Sequence, residues 1–216
     1  MSGKDPAIIR KALLIIIAVA VALALAAIYG IISQQGKSGG EGGEAEVTTT
    51  APGGPPAGIK ARGAMRNLVV HKQRRDISGL TFQDGAGKPL KVGNWKGKVL
   101  LINFWATWCP PCRREMPDIG KLQEAFDRNE FLVVAASEDR RGYDWAKSGI
   151  KVIGGENLLL VTDKGAVSLR VVNPRASLPT TILVDRQGRL VATLIGPAAW
   201  NSPEAQSVIK ALLAEK

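Results

Sequence analysis

The 216-residue chain has a single histidine, His71, and only two cysteines, Cys109 and Cys112. Each shortage removes a class of chemistry. A structural zinc site takes four Cys or His ligands, and this pair leaves two of them missing. A framework of structural disulfides is excluded as well. Cys112 is followed by Arg113 rather than a histidine, which excludes c-type haem attachment. His71 lies among Lys72, Arg74 and Arg75 and reads as a solvated or structural imidazole, not a ligand. Acids are also scarce: 19 Asp and Glu against 29 Lys and Arg, for a formal charge of +10. No aromatic-interleaved basic patch, zinc pattern or phosphate-cradling glycine loop accompanies that excess. The charge therefore reads as a solvated basic surface, compatible with acidic partners, and nucleic acid is not expected. No internal repeat is evident.

Charge is absent altogether from Ala12 to Gln35. Ala12–Ile32 is almost wholly apolar, and its helix would span roughly 31 Å, the thickness of a bilayer's hydrocarbon core. Lys4, Arg10 and Lys11 precede it against one Asp5, so the positive-inside rule puts the N-terminus in the cytoplasm and exports the rest. Ala24-Leu25-Ala26 is similar to a signal-peptide cleavage site. The apolar run continues through Ile28, Tyr29, Ile31 and Ile32, which favours a retained anchor. With no cysteine near it, lipidation there is excluded. Gly39-Gly40-Glu41-Gly42-Gly43, Thr48-Thr49-Thr50 and Pro52-Gly53-Gly54-Pro55-Pro56 cannot pack a core and read as a tether. The expected organisation is a cytoplasmic end (1–11), a transmembrane anchor (12–32), a flexible linker (33–60) and one exported domain (61–216), a size that suits a single core.

Within that domain the pattern alternates. Leu80–Phe82 reads as a short strand before the turn Asp84-Gly85-Ala86-Gly87. Lys98–Trp105 reads as a buried strand, and Pro110 to Arg128 as a helix with Met116, Ile119, Leu122 and Phe126 on one face. Phe131–Ala136 is a second buried strand. The stretch Arg140–Leu160 is weaker, with a helix near Tyr143–Lys147 and a strand at Asn157–Val161. Thr181–Val184 and Leu190–Ile195 flank Asp185-Arg186-Gln187-Gly188 as a hairpin. Ser202 caps a last helix that begins at Pro203 and turns Val208, Ile209, Leu212 and Leu213 inward. Trp95, Trp105 and Trp200 read as packing residues.

The two cysteines stand as Cys109-Pro110-Pro111-Cys112 at the strand-to-helix junction. As a staple the pair is poor: a four-residue loop yields about 2 kcal/mol, against about 4.7 for a 100-residue loop. It reads as reactive. Cys109, just before the helix, lies where unpaired N–H groups and the dipole favour a thiolate, and Cys112 lies one turn inside. Cys109 is then the nucleophile that forms a mixed disulfide, and Cys112 resolves it. Arg113 and Arg114 read as solvated surface. Glu115, three residues after Cys112, shares its helix face, which suits a proton acceptor or an ordinary exposed glutamate. Leu178-Pro179 precedes a strand, where a cis bond would expose the Leu178 backbone to substrate and a trans bond would merely start the strand. Trp108 reads as a shield for the sulfur.

The run Asn103-Phe104-Trp105-Ala106-Thr107-Trp108-Cys109-Pro110-Pro111-Cys112-Arg113-Arg114-Glu115-Met116-Pro117 resembles the membrane-anchored, TlpA/ResA-like branch of the thioredoxin superfamily. Leu178-Pro179-Thr180-Thr181 with Val184-Asp185 resembles its cis-proline loop. Gly196-Pro197-Ala198-Ala199-Trp200 is similar to the alphaproteobacterial TlpA proteins. The resemblance covers about residues 75–216. It implies a thioredoxin fold, a central mixed sheet flanked by helices with a mid-chain insertion. It also implies an attacking Cys109, a resolving Cys112, an active-site Glu115 as proton acceptor and a cis Pro179, with Trp108, Pro110, Pro111 and Leu178 on the substrate surface. Pro117 is expected to kink the helix, and Asn103 stands where thioredoxins keep a buried aspartate. No cofactor beyond the Cys109–Cys112 disulfide and no metal are expected. The implied function is a periplasmic thiol–disulfide reductase on the bacterial inner membrane. Its implied partners are copper-chaperone or oxidase-subunit proteins or apocytochrome c, with electrons from a CcdA- or DsbD-type donor. The alternatives are a disulfide-introducing oxidant or isomerase, and a Cu(I)-binding assembly module using both cysteines.

Overall fold

The apolar runs without alternation become the middle of a sheet. Strand β4 (Val99–Trp105) is buried at all seven positions, as is β5 (Phe131–Ser137), and β7 (Thr180–Val184) at all five. A strand reads this way when both faces of its sheet are covered. The computed structural model describes residues 59–215. The expected anchor (12–32) and the linker up to residue 58 lie outside the described residues.

The remaining strands are β1 (Val69–Asp76), β2 (Thr81–Gln83), β3 (Pro89–Lys91), β6 (Leu159–Thr162) and β8 (Arg189–Ile195). They form one mixed sheet in the order β1-β8-β7-β4-β5-β6-β2-β3, with β4–β5 and β5–β6 parallel and the other pairs antiparallel. The helices are α1 (Pro110–Glu124), α2 (Tyr143–Val152), α3 (Val167–Val172) and α4 (Pro203–Leu213). Alternation along β4 divides the core. Val99, Leu101 and Trp105 pack with Met116, Ile119 and Leu122 of α1 and Val208, Ile209 and Leu212 of α4. Leu100, Ile102 and Phe104 pack on the other face with Phe82, Val92 and Leu169. This is the thioredoxin-type arrangement, with α2, β6 and α3 standing between β5 and β7 in the chain.

Several expectations shift by a few residues. The first helix ends at Glu124 rather than Arg128 and runs unbroken through Pro117. The helix expected at Tyr143–Lys147 reaches Val152, and the strand expected at Asn157–Val161 starts at Leu159. Strands β1 and β3 and helix α3 were not foreseen. Ser202 caps α4 as expected, accepting from the Ala205 N–H at 3.2 Å.

Candidate active site

Cys109 is the N-cap of α1, with an extended backbone. Pro110 and Pro111 fill the first two helical positions and have no N–H to give. The first available donor is the Cys112 N–H, which points at Cys109 Sγ at 3.3 Å. An N-cap acceptor is normally served from this third position. The two sulfurs form a disulfide. Both cysteines belong to the apolar cluster beneath the helix: Cys109 is 4 % exposed and Cys112 fully buried. The same N–H and the helix N-terminus are placed to favour negative charge at Cys109 Sγ.

Glu115, one turn beyond Cys112, is not an exposed helix glutamate: it is 3 % exposed. Its Oε1 accepts from Asn103 Nδ2 at 2.9 Å, and its Oε2 accepts from the Ala198 N–H at 3.1 Å and Trp200 Nε1 at 3.2 Å. Burial pushes its pKa up to about 7, and the three donors hold it from going higher. Asn103 also donates to Thr181 Oγ1 at 2.9 Å, so β4, β7 and α1 meet at one polar point in an apolar core. Trp200 was expected only to pack; it is fully buried and also orients the carboxylate. Ala198 and Trp200 lie in Gly196-Pro197-Ala198-Ala199-Trp200, and no local periodicity tied that segment to Glu115.

The Leu178–Pro179 peptide is cis. Its loop is braced by Asn173, which sequence reasoning passed over: Nδ2 donates to Thr180 Oγ1 at 2.9 Å and Ser177 Oγ at 3.0 Å. The Gly196 N–H donates to Pro179 O at 2.9 Å, tying this loop to the end of β8. Leu178 packs against the cluster containing both cysteines. Pro110 is exposed and Pro111 half-buried, at the mouth of the site. Trp108 is 65 % exposed, and Cys109 is covered by the apolar cluster it joins. Arg113 and Arg114 are solvated, as expected. His71 makes a structural contact, with Nε2 2.9 Å from Thr193 Oγ1, and burial followed by Arg75 lowers its pKa.

The loop carrying Trp108 is fixed from below. Asp139 accepts from the Thr107 N–H at 3.0 Å, Thr107 Oγ1 at 2.7 Å and Ser137 Oγ at 2.9 Å. Trp145 Nε1 donates to Thr107 Oγ1 at 3.0 Å. Beside Asp139, Glu138 has its pKa pushed up to about 9, first by burial and then by Asp163. It is therefore protonated at neutral pH.

Breaking and remaking disulfides is the chemistry this arrangement performs, and the enzyme is a thiol–disulfide oxidoreductase on a thioredoxin-type fold. Its sequence agrees: the Redoxin family model matches residues 72–212, and the chain belongs to that family. The thiol-disulfide oxidoreductase ResA of Bacillus thuringiensis (strain Al Hakam) is 32 % identical over 124 residues, 56 % of this chain and 69 % of that protein. ResA of Bacillus subtilis (strain 168) is 30 % identical over 125 residues, 56 % and 66 % of the two chains. Among solved structures, a Chlorobium tepidum protein assigned as the thiol:disulfide interchange protein DsbE aligns at a TM-score of 0.55 and 25 % identity, over 65 % of this chain and 98 % of that one. The thioredoxin domain of a Bacteroides vulgatus thiol-disulfide oxidoreductase aligns at 0.50 and 28 % identity, over 61 % and 90 %.

Proposed function

We propose that the protein is a membrane-anchored, periplasmic reductase of the TlpA/ResA type, single-pass in the bacterial inner membrane. It reduces cysteine pairs in copper-site proteins of cytochrome oxidase or in apocytochrome c, and a CcdA- or DsbD-type membrane protein resupplies its electrons. The uncharged run Ala12–Ile32, with Lys4, Arg10 and Lys11 before it, supports the anchor and its direction. The observation that carries the chemistry is the buried Glu115 carboxylate one helical turn beyond Cys112, with a pKa of about 7.

The steps follow from those positions. The Cys109 thiolate, favoured by the Cys112 N–H, attacks one sulfur of a substrate disulfide. A Cys109–substrate bond forms, and the other substrate sulfur leaves as a thiolate, protonated by water. Glu115 then takes the proton of the Cys112 thiol as Cys112 attacks Cys109 Sγ. The Cys109–Cys112 bond forms and the second substrate thiolate departs. Two electrons have passed to the substrate. Trp108, Pro110, Pro111 and the Leu178 backbone before Pro179 supply the surface on which the substrate cysteine is presented.

Equilibration of the full-length protein with glutathione tests the direction of transfer. A reductase gives a potential below about −200 mV, and a value at or above about −150 mV assigns the site to oxidation instead.

A further inference from the structure

Beside the dithiol lies a groove of about 750 Å³, most of whose lining takes no part in the exchange steps. Trp108 and Leu178, the residues immediately before Cys109 and Pro179, line one end of it. The Asp84–Gly87 turn closes the far end and approaches Tyr143 so closely that a Cβ on Gly85 would lie 2.6 Å from the ring.

Its charges are layered. Asp139 and Asp163 are buried, and their oxygens are already occupied. Asp139 serves Thr107 and Ser137, and Asp163 accepts the Ser168 and Leu169 N–H groups at 3.0 and 2.8 Å. Glu138, pressed against Asp163, is neutral at pH 7. Above them Arg140, Arg141, Lys164 and Arg170 are exposed, against one exposed acid on the lining, Asp144, and a half-buried Asp84 whose Oδ1 accepts from the Ala86 and Lys88 N–H groups. Among the described residues none of these four cations forms an ion pair with a carboxylate. Two of them are nonetheless held in place. The Arg141 guanidinium lies 3.4 Å over the Trp145 ring, whose Nε1 is itself bonded to Thr107, and Arg170 donates to the carbonyls of Gly165 and Ala166.

Guanidinium groups with vacant donors recognise carboxylates in a fork geometry, and fixing one of them beforehand, as Trp145 fixes Arg141, lowers the entropy lost on binding. The apolar part of the surface points to a protein. Trp108 is 65 % and Trp145 41 % exposed, beside Arg140, Arg141 and Tyr143. Trp, Tyr and Arg are the residues enriched at protein-binding hot spots. The chain's charge of +10 draws an acidic partner from a distance as well.

We propose that this groove binds an acidic segment of the protein substrate flanking its disulfide, with Arg140 and Arg141 on the carboxylates and Trp108 against the residues nearest the reacting cysteine. The proposal rests on disulfide exchange at Cys109–Cys112 and specifies a substrate class for it. The test uses the full-length, reduced protein and two synthetic peptides with the same internal disulfide, one flanked by three glutamates on each side and the other by three lysines. The acidic peptide is expected to be reduced at least about tenfold faster at low salt, with the difference shrinking in 1 M salt, because steering of this kind is screened. The double variant Arg140→Glu/Arg141→Glu is expected to invert the preference, an outcome that a merely damaged protein does not give. Peptide rates within twofold of each other in the unaltered protein overturn the groove, as does a double variant that keeps the original preference. If the unaltered protein fails to reduce even the uncharged dipyridyl disulfide, the exchange reading falls and the groove proposal with it.

Discussion

Glu115→Gln removes one proton acceptor from the core and little else. The glutamine oxygen can still accept from the Ala198 N–H and Trp200 Nε1. The new amide then faces Asn103, whose Oδ1 is buried and unpartnered and can receive that donor when the Asn103 amide turns over. The fold is therefore expected to survive. With a pKa of about 7, roughly half of the Glu115 carboxylates are ionised at neutral pH and ready to take the Cys112 proton. A positioned base contributes about 10²- to 10⁴-fold, and the variant is expected to resolve its Cys109 mixed disulfide about 100-fold more slowly. The pH profile separates this role from a structural one. In the unaltered protein the resolution rate rises through pH 7 and levels off; in the variant it follows a free thiol near about 8.5.

The same substitution has a thermodynamic sign. The folded pKa of Glu115 lies above the ordinary 4.5, so its contribution to stability is complete below about pH 4.5 and is lost as pH rises through about 7. That difference corresponds to about 3 kcal/mol, which the variant does not lose. Rapid-quench measurement of mixed-disulfide decay between pH 5 and 9, with denaturant titrations at both ends, reads both effects. A resolution rate within threefold of the unaltered protein, with the inflection near pH 7 retained, refutes the assignment.

Two further substitutions probe the surroundings. Glu138 has its pKa pushed up to about 9, so its stabilising contribution is also lost as pH rises from the ordinary 4.5 through about 9. Glu138→Gln should flatten the decline in melting temperature between pH 6 and 9.5, and equal slopes contradict it. Gly120 lets α1 approach the α2–β6 loop: an added Cβ would lie 2.8 Å from the Gly154 carbonyl oxygen and 3.2 Å from Asn157 Oδ1. Gly120→Ala gains about 1 kcal/mol of helix propensity but incurs about 1–3 kcal/mol of overpacking, so calorimetry should show a lower melting temperature.

Much of the sheet was legible because its central strands carry largely apolar, buried runs and its outer helices carry a clear face. Strand β1 was hidden because Val69–Asp76 is half charged. It becomes a strand through antiparallel pairing with β8, supported by ion pairs from Arg74 to Asp185 at 3.0 Å and Glu215 at 2.7 Å. Helix α3 is only six residues long and rich in valine, which favours a strand locally. It is helical because the Asp163 carboxylate accepts its first N–H groups. At the site, the dithiol could be read from spacing and the cis-proline from resemblance. What held Glu115 could not be read. Ala198 and Trp200 are 83 and 85 residues away, and nothing local marks either as a donor.

The most direct test of the account is to replace Cys112 with serine in the full-length protein, in cells, and identify what remains covalently attached. The account predicts adducts through Cys109 to a small set of exported copper-site or apocytochrome proteins, released by reductant. A broad ladder of unrelated exported proteins, or no adducts at all, contradicts it.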